Sequence, residues 1–394
     1  MVRLLGLFIA ILLWAPVVAA QQEVAPDEPL GWVIGPPLRV TFARYMPAEH
    51  VEAAVAAYRQ FFGGGANRGF ALAELVMRPV APVEQFEIKA GFGVVNDYYA
   101  IPTLDTGAAV DPKSVIDLSG KMRADGTLDW QVPTGRWVVV RLGYSLTGKE
   151  NGPASEEATG LEVDKLNAAH VRRYVNTYLD MYTSATGPSL IGAHGLNALL
   201  NDSYEARFQN WTEDMLEQFK ARRGYDPSPW LPVLTGVVVH DAADSDRFLW
   251  DWRRTIAELL ARSHYGVLAE EARKRGMKSY AEAIEDSRAY PGDDLEMRQY
   301  ADVPMGATGP NGFQAEGAQP LKKRFVDNRG AASVAHVYGR PYVASETFTS
   351  APNSVLPEQL KSTADLAFLQ GVTRVFIHTS AHQPGDQGPG ASLN

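Results

Sequence analysis

Met277-Lys278-Ser279-Tyr280-Ala281-Glu282 is a short apolar run that starts directly after Gly276 and ends on a carboxylate. Glycine most cheaply takes the left-handed turn that closes a helix, so the stretch reads as helix, glycine, buried strand, acid at the strand's exit. The same order recurs twice. Gly339 precedes Tyr342-Val343-Ala344-Ser345-Glu346, and Gly371 precedes Arg374-Val375-Phe376-Ile377-His378, which ends on a histidine. A fourth run, Leu199-Leu200-Asn201-Asp202-Ser203-Tyr204-Glu205, reaches its acids without such a glycine before it. Helices alternating with single short strands indicate parallel β/α construction. The fold expected is therefore α/β, a partial TIM-type β/α barrel, because four such strands are legible where a closed barrel has eight.

Outward from these strands, helical patterns cover residues 164–187 with Asp164 as N-cap, 212–223 closing at Gly224, 245–275, 328–338 and 357–370. The third is long enough to be two helices. Phe248, Trp252, Ile256 and Leu259, and likewise Tyr174 and Tyr178, fall at helical spacing and are expected in the core. Upstream the period changes. Runs at 71–77, 83–88, 115–118, 128–132 and 137–144 are separated by turns such as Ala124-Asp125-Gly126-Thr127, which predicts a β-rich, sandwich-like module. An alanine-rich stretch at 50–62 stops at Gly63-Gly64-Gly65 and reads as a helix.

Arg3, an apolar run over residues 4–14 and the exit Val18-Ala19-Ala20 read as a signal peptide cut after Ala20. Four parts are expected: a signal peptide at 1–20, a linker with an irregular or helical segment at 21–69, the β-rich module at 70–150, and the β/α catalytic region at 151–394. The product is expected to be secreted or periplasmic, with no stable membrane span after cleavage. No cysteine is present, so export brings no disulfide. Acids outnumber bases by 46 to 37, and apart from short runs such as Lys322-Lys323-Arg324 the bases are scattered, which argues against nucleic acid as a partner. Neither a dinucleotide fingerprint, a P-loop nor a nucleophile elbow occurs.

The acids carry the chemistry. Glu205, Glu282 and Glu346 at strand exits could place two carboxyl groups across one sugar ring, as glycoside hydrolysis requires. Asp202, Tyr204, Asn210 and Trp211 surround the first of them and are candidates for carbohydrate binding, the indole by stacking on an apolar sugar face. The competing interpretation makes Asp202 and Glu205 solvated loop acids paired with Arg207. Glu282, Glu285 and Asp302 belong to a crowded acidic stretch that either surrounds a cation, for which calcium is the physically reasonable choice, or is a plain acidic loop. His378 and His382 lie four apart but lack the glutamate of a zinc-protease helix. Hydrogen bonding to sugar hydroxyls or to a carboxylate suits them better than zinc. His336 has a structural setting inside an apolar helix pattern.

As an ordered set these stretches resemble the bacterial α-L-rhamnosidases of glycoside hydrolase family 106. The likeness includes Gly143-Tyr144-Ser145-Leu146-Thr147-Gly148, Thr159-Gly160-Leu161-Glu162-Val163-Asp164, Asp202-Ser203-Tyr204-Glu205 with Gln209-Asn210-Trp211-Thr212, Arg223-Gly224-Tyr225-Asp226-Pro227, Ala301-Asp302-Val303-Pro304-Met305 and Ser345-Glu346-Thr347-Phe348-Thr349. The resemblance implies a calcium-assisted, inverting hydrolase of terminal α-L-rhamnosides in rhamnose-containing glycans. It also implies Glu205 as general acid, with Glu346 or Glu282 as base and the other binding metal or sugar. A non-catalytic carbohydrate-binding remnant or fragment is the alternative.

Overall fold

The computed structural model describes residues 82–93, 109–152, 158–206, 208–284, 290–308, 326–349 and 356–378, isolated positions between them, and strands at 7–12, 32–35, 39–42 and 75–76. The helix expected at 50–62 and most of the expected signal peptide lie outside them. In chain order the strands are β1 (Leu7–Leu12), β2 (Trp32–Gly35), β3 (Arg39–Phe42), β4 (Leu75–Val76), β5 (Val115–Asp117) and β6 (Trp137–Leu142). Then come β7 (Ala198–Asn201), β8 (Lys278–Ala281), β9 (Val303–Thr308), β10 (Ala344–Thr347) and β11 (Arg374–Ile377). The helices are α1 (Phe86–Lys89), α2 (Ala168–Thr186), α3 (Met215–Arg223), α4 (Ala242–Leu259), α5 (Val267–Lys274), α6 (Asp294–Arg298), α7 (Val326–Val337) and α8 (Pro357–Leu369). The chain divides into two compact units, residues 1–146 with 215–255, and residues 147–214 with 256–394.

The first unit holds two three-stranded sheets, β5-β1-β6 and β2-β3-β4. In the former, β1 is central and antiparallel to both neighbours, with Ile9 opposite Asp117 and Val140. Residues 7–12, within the apolar run read as part of a leader, form this paired strand. Nothing among the described residues assembles these sheets into the expected sandwich. Two strand expectations are corrected. Residues 83–88 include helix α1, and residues 128–132 contribute only the bridge between Met122 and Leu128. The apolar spacing there serves a small cluster instead: Leu128, Trp130 and Trp137 pack on buried Leu118, the two indoles edge to face at 5.3 Å. Phe219, Phe248 and Trp252 form a buried aromatic group, with Phe248 5.6 Å from Phe219 and 5.8 Å from Trp252.

The second unit carries the half-barrel. Its sheet has the order β11-β10-β9-β8-β7, and all four pairings are parallel. Val171, Val175 and Leu179 of α2 pack with Val267, Leu268 and Ala272 of α5 and with Leu199. Ala331, Ala332 and Ala335 of α7 pack with Ala367 of α8 and with Val343 and Val375. These contacts put helices on one sheet face, as parallel sheets require. Gly276 at φ 70° and Gly371 at φ 100° make the left-handed turns into β8 and β11.

Strand β9 is the element that its sequence conceals. Pro304 and Gly306 are both unfavourable inside a strand. Gly306 is needed because a Cβ there would come within 2.9 Å of Asn328 Oδ1 and 3.0 Å of the Asp327 carbonyl carbon, so α7 crosses β9 at backbone distance. Three further expectations shift. Asn167, not Asp164, caps α2, accepting from the amides of Ala169 and His170. The helix expected from residue 212 begins instead at Met215 as α3, and the Thr212 hydroxyl donates to Asp164 at 2.7 Å. Tyr174 and Tyr178 point outward, 51% and 36% exposed, because Val171, Val175 and Leu179 occupy the core stripe of α2.

The long helix is continuous but changes winding, with a π segment at Leu260–Gly266 between α4 and α5. This segment buries His264 against Tyr265, ring centroids 5.0 Å apart. Burial, aided by the charge of Lys165, holds the His264 pKa well below the ordinary 6.5. Below pH 6.5 the unfolded chain therefore takes up a proton that the folded chain refuses, and stability falls as pH drops, by up to about 1.4 kcal/mol per pH unit. His264→Gln is expected to flatten this slope, read from urea midpoints of variant and parent at pH 7.5 and 5.

Candidate active site

Pairing register decides which side chains share a face. Leu200 lies opposite Tyr280, Tyr280 opposite Val303, Ala307 opposite Glu346, and Glu346 opposite Phe376. Because alternate residues of a strand point the same way, Asp202, Glu282, Glu346 and His378 follow on that one face. The ladder continues past the strand ends: the Glu282 amide donates to Asn201 O at 3.0 Å, and the His378 amide to Thr347 O at 2.9 Å. Below them the same face is apolar, with Tyr280, Val303, Met305 and Ala344 buried against Ala198 and Phe376. Acids stand at the C-terminal rim of a hydrophobic floor.

Carboxylate oxygens of Asp202, Glu282 and Glu346 lie within 4.8 Å of one another. Glu282 is 1% exposed, Glu346 half-buried and Asp202 exposed. At such separations two ionised carboxylates repel by roughly 3 kcal/mol at an effective dielectric near 20, and by less where solvent screens Asp202. Local bonds hold the outer two. Thr349 donates its hydroxyl to Glu346, and the Ser203 amide donates to Asp202 Oδ1 at 2.8 Å. Phe348 stands between Glu346 and Thr349 with φ 67°, a left-handed conformation that costs a bulky residue about 1–3 kcal/mol. It turns the chain so that Thr349 comes back onto the acid.

Other predicted residues fall elsewhere. Glu205 is exposed, three residues beyond Asp202 at the same strand exit; it accepts from Ser203 Oγ at 2.9 Å and is not one of the converging three. Tyr204 is buried, its ring 4.5 Å from that of Tyr290. Asn210 and Trp211 are half-buried. Asp302 precedes β9 at the opposite end of the strands, bound to Arg273 Nε at 3.0 Å and to the Ser279 amide at 3.0 Å. Glu285 and His382 lie outside the described residues, and His336 is exposed. A behind-the-rim network was not foreseen: Asp164 accepts from Thr212, from Gln209 and from the Leu166 amide at 2.9 Å, and burial raises its pKa. A second group, His240 with Asp241 and Asp244, sits at the start of α4, where Asp244 is already engaged by Arg247.

Parallel strands with acids massed at their C-terminal ends are the architecture of a β/α-barrel enzyme region. Within that class the chain belongs to glycoside hydrolase family 106, the α-L-rhamnosidase family, whose profile matches residues 40–394. A solved rhamnosidase from Novosphingobium sp. PP1Y is 48% identical and superposes with a TM-score of 0.71 over 79% of this chain and 30% of its own. A Formosa agariphila protein provisionally named a beta-glucuronidase is 32% identical over 316 residues, 79% of this chain and 26% of that protein. The chain thus spans less than a third of the length of either relative. No helix among the described residues is long and apolar enough to cross a membrane.

Proposed function

We propose that this chain supplies the acid-bearing region of a secreted hydrolase that releases terminal α-L-rhamnose with inversion. The observation that carries the proposal is the meeting of Asp202, Glu282 and Glu346 from three separate strands, oxygens within 4.8 Å, on the inner face of the half-barrel. Inverting enzymes hold their acid and base about 6.5–9.5 Å apart, leaving room for water. Three carboxylates closer than that suit a different task, so one member of the catalytic pair stands outside them. Glu205, at the same strand exit, takes the role of general acid. Glu346, partly open to solvent, takes that of base and draws a proton from the attacking water.

Asp202 and Glu282, with Glu346 beside them, would hold calcium. The donor set is all hard oxygen, and two ligands at 2.3–2.6 Å from one ion lie no more than about 5 Å apart. Bound there, the ion offsets carboxylate repulsion and orients sugar hydroxyls. A uronic acid suits these acids poorly, since its own carboxylate adds a like charge. Neutral rhamnose does not. The test compares 4-nitrophenyl α-L-rhamnoside with the β-glucuronide, following the released sugar's anomer by NMR. β-Rhamnose released first from the former supports the proposal; faster turnover of the glucuronide, or α-rhamnose as first product, refutes it.

A further inference from the structure

The inner face of the half-barrel carries an apolar patch level with the acids, and the proposed acid, base and cation leave it without a task. Phe376 lies directly opposite Glu346 in the ladder between β10 and β11. One step down on the same face, Met305 lies opposite Ala344. The Phe376 ring packs on that of Tyr280, with centroids 5.4 Å apart and planes inclined by 59°, beside buried Val303, Met305 and Ala344. It stays half-buried, on the face that also carries Glu346 and His378. Among the described side chains of this floor only Tyr280 carries a hydroxyl, and that oxygen is already engaged by the Arg374 guanidinium. A sugar resting against the acids therefore meets, beside Glu346, a surface that offers contact but no hydrogen bond.

We infer that Phe376 is a specificity-determining residue, whose ring receives the C6 methyl group of a 6-deoxy sugar while the acids hold the ring hydroxyls. The inference rests on the proposal that the three converging acids form the sugar site. Rhamnose is 6-deoxymannose, so a terminal rhamnoside presents three hydroxyls and one apolar corner. The hydroxyls suit carboxylates, and the methyl group gains by leaving water for the ring. A hexose would bring a hydroxymethyl group to the same place, and a uronic acid a carboxylate. Neither finds a partner on this floor, and a polar group buried without one is costly. The discrimination available to such a wall is moderate: one small apolar group is worth about ten- to two-hundredfold, and an added hydroxyl is rejected by at most about a hundredfold.

Three methyl glycosides that differ only in the group on C5 isolate the contact: the α-L-rhamnopyranoside with methyl, the α-L-mannopyranoside with hydroxymethyl and the α-L-lyxopyranoside with hydrogen. Their dissociation constants are read by ligand-observed NMR titration of the intact chain, with excess calcium present. The parent protein is expected to bind the rhamnoside about tenfold more tightly than either of the others. Phe376→Ala removes the ring and is expected to narrow both ratios to about threefold or less. Equal weakening of all three ligands, with the ratios kept, assigns the ring a structural role only and overturns the inference. A parent protein that binds the three alike overturns it too, while the acids keep their sugar. A parent protein that binds none of them overturns the reading of the acids, and the inference with it, so the two failures are distinguishable. If Phe376→Ala does not fold, the parent protein decides by itself: the methyl signal of the bound rhamnoside is expected to move upfield, as a proton above an aromatic ring does, and an unmoved signal overturns the inference.

Discussion

Glu205→Gln is expected to slow hydrolysis of an alkyl α-L-rhamnoside by roughly a thousandfold, within the range contributed by a positioned general acid. The leaving alkoxide must be protonated as the bond to carbon breaks, and the amide cannot supply that proton. A nitrophenolate departs unaided, so the same variant is expected to lose far less on 4-nitrophenyl α-L-rhamnoside. Glu346→Gln behaves differently. Removal of the base leaves water unactivated whatever the leaving group, and both substrates are expected to lose about equally. Since Glu205 is exposed, its replacement is expected to move stability by no more than about 0.5 kcal/mol. Steady-state rates on the paired substrates decide the matter. Equal losses for Glu205→Gln on both would remove it from the role of acid.

The largest stability effect is expected at Arg298, which is fully buried behind the sheet. Its guanidinium donates to Asp294 and Asp327, and its Nε donates to Met305 O at 2.8 Å. Asp327 also accepts from the Ala307 amide. One cation thus ties α6 and α7 to β9. Arg298→Met keeps most of the stem volume and leaves the Asp327 carboxylate buried without its charge partner, a change that costs about 3–5 kcal/mol. Adding Asp327→Asn removes the stranded charge and is expected to restore part of that loss. Urea denaturation of the single and double variants measures both. A single variant within 1 kcal/mol of the parent would show that the pair contributes little beyond its own desolvation.

Much of the half-barrel was legible because its signals are local. Gly276, Gly339 and Gly371 mark helix ends by a backbone conformation that other residues rarely take, and the apolar runs after them became β8, β10 and β11. Strand β9 was hidden for an equally local reason: Pro304 and Gly306 are poor strand residues, retained where α7 crosses too closely for a side chain. The tyrosine stripe of α2 misled because helical spacing identifies a face without saying which face is covered.

The acids divide along the same line. Glu282 and Glu346 were evident as strand-exit acids, whereas Glu205 was read as the third member of the group and the structure brings in Asp202. The run from Leu199 to Glu205 does not say where its ladder stops.

By itself the sequence determined the alternation of helix and strand, the strands' parallel direction and the placing of acids at their exits. These follow from backbone preference and apolar period, which act over a few residues. Only the tertiary structure decided which three acids meet, which helix faces are covered and what braces the rim. Those outcomes depend on strand register, in which a shift of one residue turns every side chain to the opposite face.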